Sequence, residues 1–178
     1  MNASYRSAIN ATFEMDRVFA APIDQVWKAW TEREQLAKWW GPKGCSLEAL
    51  LLEFRAGGFF HYAMRFENAP GMWGRFNYRE IVPRRRIVWL NSFANDRCGI
   101  ARAPFSDLCP LEIENSATFE ERDGATRITL HAEPFGASEE EIKFFTELCS
   151  SGSLEKGNAG MFDQLADHLL QVASTAKR

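Results

Sequence analysis

Tyr62, Tyr78, Asn91 and Asn158 are the polar side chains whose setting in the sequence points to a site. Phe60, Tyr62 and Met64 alternate with His61, Ala63 and Arg65, so they share one face of a strand. The same period of two puts Phe76 with Tyr78, and Trp89 with Asn91 and Phe93. Adding Phe119 from a later strand and Phe162 and Leu165 from a helix gives a set that is either a solid core or the wall of a partly open pocket. Both readings stand at this level. Apolar walls carrying a few polar groups are what small-molecule sites use, so the pocket would take a hydrophobic or aromatic molecule. A phenol in hydrogen-bond reach of a reacting oxygen could instead act as a general acid, the role open to Tyr62 or Tyr78 in a cyclase- or hydrolase-type enzyme.

Other chemistry is poorly supplied. His131-Ala132-Glu133 has the H-x-E form used by zinc deaminases, but the P-C-x-x-C that must follow it is absent. The three histidines, His61, His131 and His168, have no metal-ligand spacing, and His61 falls on the polar side of its strand, as a solvated or singly bonded ring would. Cys45, Cys98, Cys109 and Cys149 form no C-x-x-C pair and read as reduced thiols. There is no nucleophile elbow and no P-loop, and Arg84-Arg85-Arg86 reads as a solvated turn. The expectation is therefore no metal, no cofactor and no catalytic residue, with the balance against an enzyme. A net charge of -3 and a pI near 5.7 exclude nucleic acid as an expected partner. No apolar run approaches the roughly 18 residues of a membrane span. Residues 1–12 lack the basic start and apolar middle of a secretory signal, so a soluble, cytoplasmic protein is expected.

The elements that would position these residues are legible. At 178 residues the chain reads as one domain over 13–173 after a disordered or extended segment over 1–12, long enough to bury roughly 70% of its unfolded surface. Phe13 to Phe19 is a strand, and Pro22 opens two short helices that break near Thr31-Glu32-Arg33 and stop at Gly41-Pro42. Strands follow over Leu47 to Phe54, Phe60 to Phe66, Trp73 to Val82 and Ile87 to Phe93. Asn95 to Pro110 is a long irregular loop, expected to fold over an opening. Ile113 to Glu120 and Thr126 to Ala132 make a last hairpin turning at Asp123-Gly124. Ser138 and Glu141 have capping-box spacing; after a small polar interval at Ser150 to Ser153, Phe162, Leu165, Ala166 and Leu169 recur at helical spacing. The fold class is α+β: a curved antiparallel sheet wrapped around a long C-terminal helix. Asn158 lies on the Phe162 and Leu165 stripe if the helix extends back that far, and is a helix cap if it does not.

Several runs resemble one known family. Arg17-Val18-Phe19, Ala21-Pro22, Val26-Trp27-Lys28-Ala29-Trp30-Thr31 and Trp39-Trp40-Gly41-Pro42-Lys43-Gly44 are similar to the family of activators of the 90-kDa heat-shock-protein ATPase, within the START-like, helix-grip superfamily called SRPBCC. The likeness continues through Met72-Trp73-Gly74, Tyr78-Arg79-Glu80-Ile81-Val82-Pro83, Asn91-Ser92-Phe93, Pro104-Phe105-Ser106 and Phe162-Asp163-Gln164-Leu165-Ala166-Asp167, and covers about Phe13 to Leu170. It implies a helix-grip (START/Bet v-like) fold with a cavity between the sheet and the C-terminal helix. Members of that superfamily serve as ligand carriers, ring-closing enzymes and co-chaperones, so a protein partner is the alternative to a small molecule. One departure stands out: similar proteins carry Trp after the glycine of the last helix, where this chain has Asn158 after Gly157.

Overall fold

The computed structural model describes residues 11–176. The segment expected to be disordered or extended, residues 1–12, thus falls almost wholly outside the described residues. Strand β1 (Phe13–Phe19) leads into helices α1 (Ile23–Thr31) and α2 (Arg33–Trp39). Pro22 stops the strand, and its carbonyl accepts the N–H groups of Gln25 and Val26 to start α1. Glu32, extended at φ -93° and ψ 127°, is the break between the helices. Trp40 is extended too, and Gly41 at φ 104° then turns the chain away through a conformation that disfavours any side chain.

The remaining strands are β2 (Cys45–Leu52), β3 (Phe59–Phe66), β4 (Met72–Val82), β5 (Arg86–Ala94), β6 (Ile100–Ala101), β7 (Glu112–Arg122) and β8 (Ala125–Phe135). They join β1 in one eight-stranded antiparallel sheet of order β1-β8-β7-β5-β4-β3-β2, with β6 against the end of β5. The sheet is curved and open, with β1 and β2 as its edges. Register shifts between Ala49 and Leu51 and between Tyr78 and Glu80 mark bulges, which sharpen the local bend. The irregular stretch 95–110 thus contains one short strand, β6.

The C-terminal helical stretch is two helices, α3 (Glu139–Ser150) and α4 (Ser153–Thr175). At the start of α3 the Glu141 N–H donates to Ser138 Oγ at 3.2 Å, and the Ser138 N–H donates to Glu141 Oε2 at 2.8 Å, closing the capping box. Gly152, at φ 74°, makes the elbow between the two helices. Helix α4, 23 residues long and so roughly 35 Å, lies in the grip of the sheet and buries Phe162, Leu165 and Leu169. Charged and amide side chains fix its seat. Asp163 accepts from Arg17 of β1 at 2.7 Å and from Lys43 at 3.0 Å. Gln164 Nε2 donates to the Gly41 carbonyl at 2.8 Å, and Gln25 Nε2 to the Leu169 carbonyl at 2.7 Å.

One end of the grip is solid. Helices α1 and α2 plug it with Trp30, Trp39 and Trp40, which meet Phe76, Trp89 and Phe119 from the sheet. Ring centroids there stand 4.8 Å apart for Trp30 with Trp39 and for Trp40 with Phe76, and 5.4 Å for Trp30 with Phe119. Such edge-on and tilted pairs add to the burial of the rings themselves.

Candidate functional site

The opposite end of the grip is hollow. A cavity of about 420 Å³ lies there, walled by the end of β3 (Tyr62, Met64, Phe66), the start of β4 (Met72, Gly74), the end of β5 (Asn91, Phe93) and the start of β7 (Ile113, Asn115). Phe145 of α3 and Leu154, Gly157, Asn158 and Met161 of α4 form the helical side; Trp40 and Pro42, with Phe105, Cys109 and Pro110 of the segment after β6, add to the lining, as do Phe13 of β1 and Ala132 of β8. Because neighbouring strands run antiparallel, alternate strand beginnings and ends meet at this one rim of the sheet.

Of the residues expected at a site, Tyr62, Met64, Asn91, Phe93 and Asn158 lie on this wall. Phe60, Phe76, Tyr78, Trp89, Phe119, Phe162 and Leu165 instead fill the solid end, every one of them buried. Period-two alternation identifies the face of a strand and says nothing of the position along it. Tyr78 is therefore off the wall: its hydroxyl is buried without a hydrogen-bond partner among the described residues, and burial pushes its ionisation well upward. Sequence reasoning passed over Asn115, although Ile113, Asn115, Ala117 and Phe119 alternate as the chosen residues do. It also missed Gly74, Met161, and the Phe105 and Cys109 lining from the segment after β6.

Tyr62 is held by its neighbours. It faces Gly74 across β3 and β4, and a Cβ at residue 74 would stand 2.3 Å from the phenol oxygen, so the ring lies flat where only glycine leaves room. Burial raises the Tyr62 pKa to about 12, with the Trp40 side chain nearby opposing the rise, and this keeps the phenol protonated at neutral pH.

Three amides join it on the wall. Asn91 sits in register between Phe76 of β4 and Ile113 of β7, where the packed end gives way to the hollow one. Its buried Oδ1 has no hydrogen-bond partner among the described residues. Asn115 Nδ2 donates to the Ile113 carbonyl at 3.0 Å. Asn158 Nδ2 donates to the Leu154 carbonyl at 2.8 Å, from within α4. The helix starts at Ser153 and Gly152 holds its cap position, so Asn158 is not a cap; it belongs to the stripe that faces the cavity.

The segment 102–111 runs along the cavity and contributes Phe105, Cys109 and Pro110 to its lining. Arg102 Nη1 donates to Glu141 Oε1 at 2.5 Å and to the carbonyls of Asp107 and Cys109 at 3.2 and 3.4 Å. Phe105 meets Phe93 edge-on with centroids 5.7 Å apart. The Ser138 N–H and then Arg102 hold the Glu141 carboxyl below its ordinary range. Earlier in the same segment, residues 95–99 fold onto the outer face of the sheet. His61 is buried beneath them, its Nε2 3.0 Å from the Asn95 carbonyl. It is singly bonded and not solvated, because a distant turn returns over the strand's polar side.

Among the described residues, no side chain lining the cavity is charged. The described residues of the wall offer a neutral phenol, three amides and a thiol, Cys109, whose pKa burial raises. Among the described residues, no cluster of His, Cys, Asp and Glu could hold a metal ion, and no helix is long and apolar enough to cross a membrane.

Comparison with known proteins adds the family. The family model described as Activator of Hsp90 ATPase homolog 1-like protein matches residues 20–169. No curated protein matches the chain. Among solved structures, a crystal structure of a Mycobacterium smegmatis protein is similar with 22% identity and a TM-score of 0.71, covering 92% of this chain and 93% of that one. One from Nitrosomonas europaea has 21% identity and a TM-score of 0.72 over 92% and 96% of the two chains. A solution structure from Arthrobacter aurescens has 23% identity and a TM-score of 0.74 over 91% and 87%. At these identities the likeness speaks for the fold.

Proposed function

Starting from the fact that the chain belongs to the Activator of Hsp90 ATPase homolog 1-like family, we propose that it binds an apolar or aromatic small molecule in the hollow end of its grip. One observation carries this reading: the cavity of about 420 Å³, within the range of small-molecule sites, is apolar except for Tyr62, Asn91, Asn115 and Asn158 and a few smaller polar groups. Binding would be driven by burial of ligand surface, about 25 cal/mol per Å² before the costs of association. Trp40, Phe93, Phe105 and Met161 would supply the apolar contact, and the phenol and amides the orientation. A proton-transfer enzyme is less well supported, because among the described residues Tyr62 is the only acid of the expected kind on the wall and no carboxylate or histidine lines it.

Native mass spectrometry of freshly purified protein, followed by a thermal-shift screen of neutral aromatic compounds, tests the proposal. A ligand present at 100 times its Kd adds about 2.7 kcal/mol to stability, which for a chain of this size raises Tm by roughly 5–10 °C. A screen with no shift and no mass adduct would overturn it.

A further inference from the structure

The cavity wall also says what kind of molecule suits it. We infer, resting on the binding role just proposed, that the ligand is uncharged where it enters the cavity and carries a hydroxyl or amide group that pairs with Asn91. The observations are independent of the cavity's size. No lining side chain among the described residues is charged. Charged groups adjoining lining residues in the chain are paired with each other: Arg102, which also bonds the Cys109 carbonyl, with Glu141, and Lys43, next to Pro42, with Asp163. A charge carried inward would lose water and find no partner.

Asn91 stands at the inner limit of the hollow, on the strand position between Trp89, wholly buried in the packed end, and Phe93 on the open wall. An amide has two donors and two acceptor sites. The amides of Asn115 and Asn158 are each engaged by a backbone carbonyl of their own element, whereas the Asn91 Oδ1 is buried with no hydrogen-bond partner among the described residues. Asn115 lies diagonally across from it, since Asn91 pairs with Ile113 in the register of β5 with β7. A hydroxyl both donates and accepts, so it suits the Asn91 amide in either orientation. A purely apolar ligand would leave the Oδ1 unpaired and cover the amide nitrogen as well, and sites of that kind discriminate strongly against the analogue lacking the polar group.

Competition against the neutral fluorophore N-phenyl-1-naphthylamine tests this on the whole protein. Three competitors share one skeleton: 2-naphthol, 2-methylnaphthalene, which replaces the hydroxyl by a group of similar size, and 2-naphthoate, an anion at pH 7. The native protein should bind 2-naphthol at least about ten-fold more tightly than either of the others. In Asn91→Leu the preference over 2-methylnaphthalene should vanish or reverse. Equal competition by all three on the native protein, or tightest binding of 2-naphthoate, overturns the inference while leaving the cavity a binding site. Failure of the fluorophore and all three to bind overturns both. Should Asn91→Leu not fold, Asn91→Ala replaces it, and the ranking on the native protein decides without any variant.

Discussion

Replacing Asn158 by Trp is the sharpest probe of the hollow end, because the structure separates what the change removes from what it adds. It removes the bond from Asn158 Nδ2 to the Leu154 carbonyl. That carbonyl keeps its helical partner, the N–H of residue 158, so no orphan is created. It adds a large ring at a half-buried position that lines the cavity. A buried aromatic side chain covers about 150–250 Å²; counting only about 100 Å² of new apolar burial at about 25 cal/mol per Å² gives about 2.5 kcal/mol. Ordering the ring costs about 1 kcal/mol, leaving a net gain of about 1.5 kcal/mol and a Tm higher by roughly 3–6 °C. The same ring should occupy ligand space and lower the affinity for N-phenyl-1-naphthylamine at least about ten-fold. Urea denaturation midpoints and fluorescence titrations of the two proteins, run side by side, give both quantities. A destabilised variant with unchanged affinity would refute the reasoning, since position 158 would then have no open volume before it.

Gly74→Ala should cost about 1–3 kcal/mol, because the new Cβ would stand 2.3 Å from the Tyr62 phenol oxygen and drive the ring into the cavity; a variant as stable as the parent in denaturant would contradict that packing. Arg102→Met should change stability by less than about 1 kcal/mol yet speed both entry and exit of the fluorophore in stopped-flow mixing, and unchanged rates would mean that residues 102–111 do not cover the route. Acid should weaken the fold in two stages. His168, whose pKa is lowered by burial and then by Lys38, favours its neutral form, so its contribution is complete above about pH 6.5 and is lost as pH falls below that. Asp163, held below its usual range by Arg17 and then Lys43, and Glu141 likewise contribute fully above about pH 4 and lose that contribution at lower pH. Asp163→Asn should therefore flatten the pH dependence of the urea midpoint below about pH 4, and an identical slope would remove Asp163 from the account.

What could be read in advance was whatever depends on near neighbours in the chain. The alternation of Phe60, Tyr62 and Met64 specifies a strand face, Ser138 with Glu141 specifies a helix start, and Ser150 to Ser153 marks the place where Gly152 bends the helical stretch. What stayed hidden depends on the other end of a contact. Phe76 and Asn91 are partners in register, yet one is packed by Trp40 and the other opens on the cavity. Only the docking of α1 and α2 decides which end of the sheet is filled. For His61 the sequence leaves a solvated ring and a singly bonded one both open; residues 95–99 return over it and make it the latter, and nothing in Phe59–Phe66 encodes that return. Asn158 turned on a helix start, and the helix begins five residues earlier, at Ser153.

The double engagement of Glu141 gives the mouth of the cavity an unequal kinetic coupling to α3. One carboxylate oxygen receives the Ser138 N–H and the other receives Arg102. If the segment carrying Arg102 swings away, the capping box can stay shut, because its two bonds do not pass through the arginine. If the first turn of α3 frays, the arginine keeps the Asp107 and Cys109 carbonyls of its own segment but loses the carboxylate that ties that segment to the helix. Each fraying event therefore also loosens the segment, while the segment can loosen many times without fraying the helix. Amide hydrogen exchange at Glu141, whose N–H is held by Ser138 Oγ, thus sets a floor under how often the segment lining the cavity loosens.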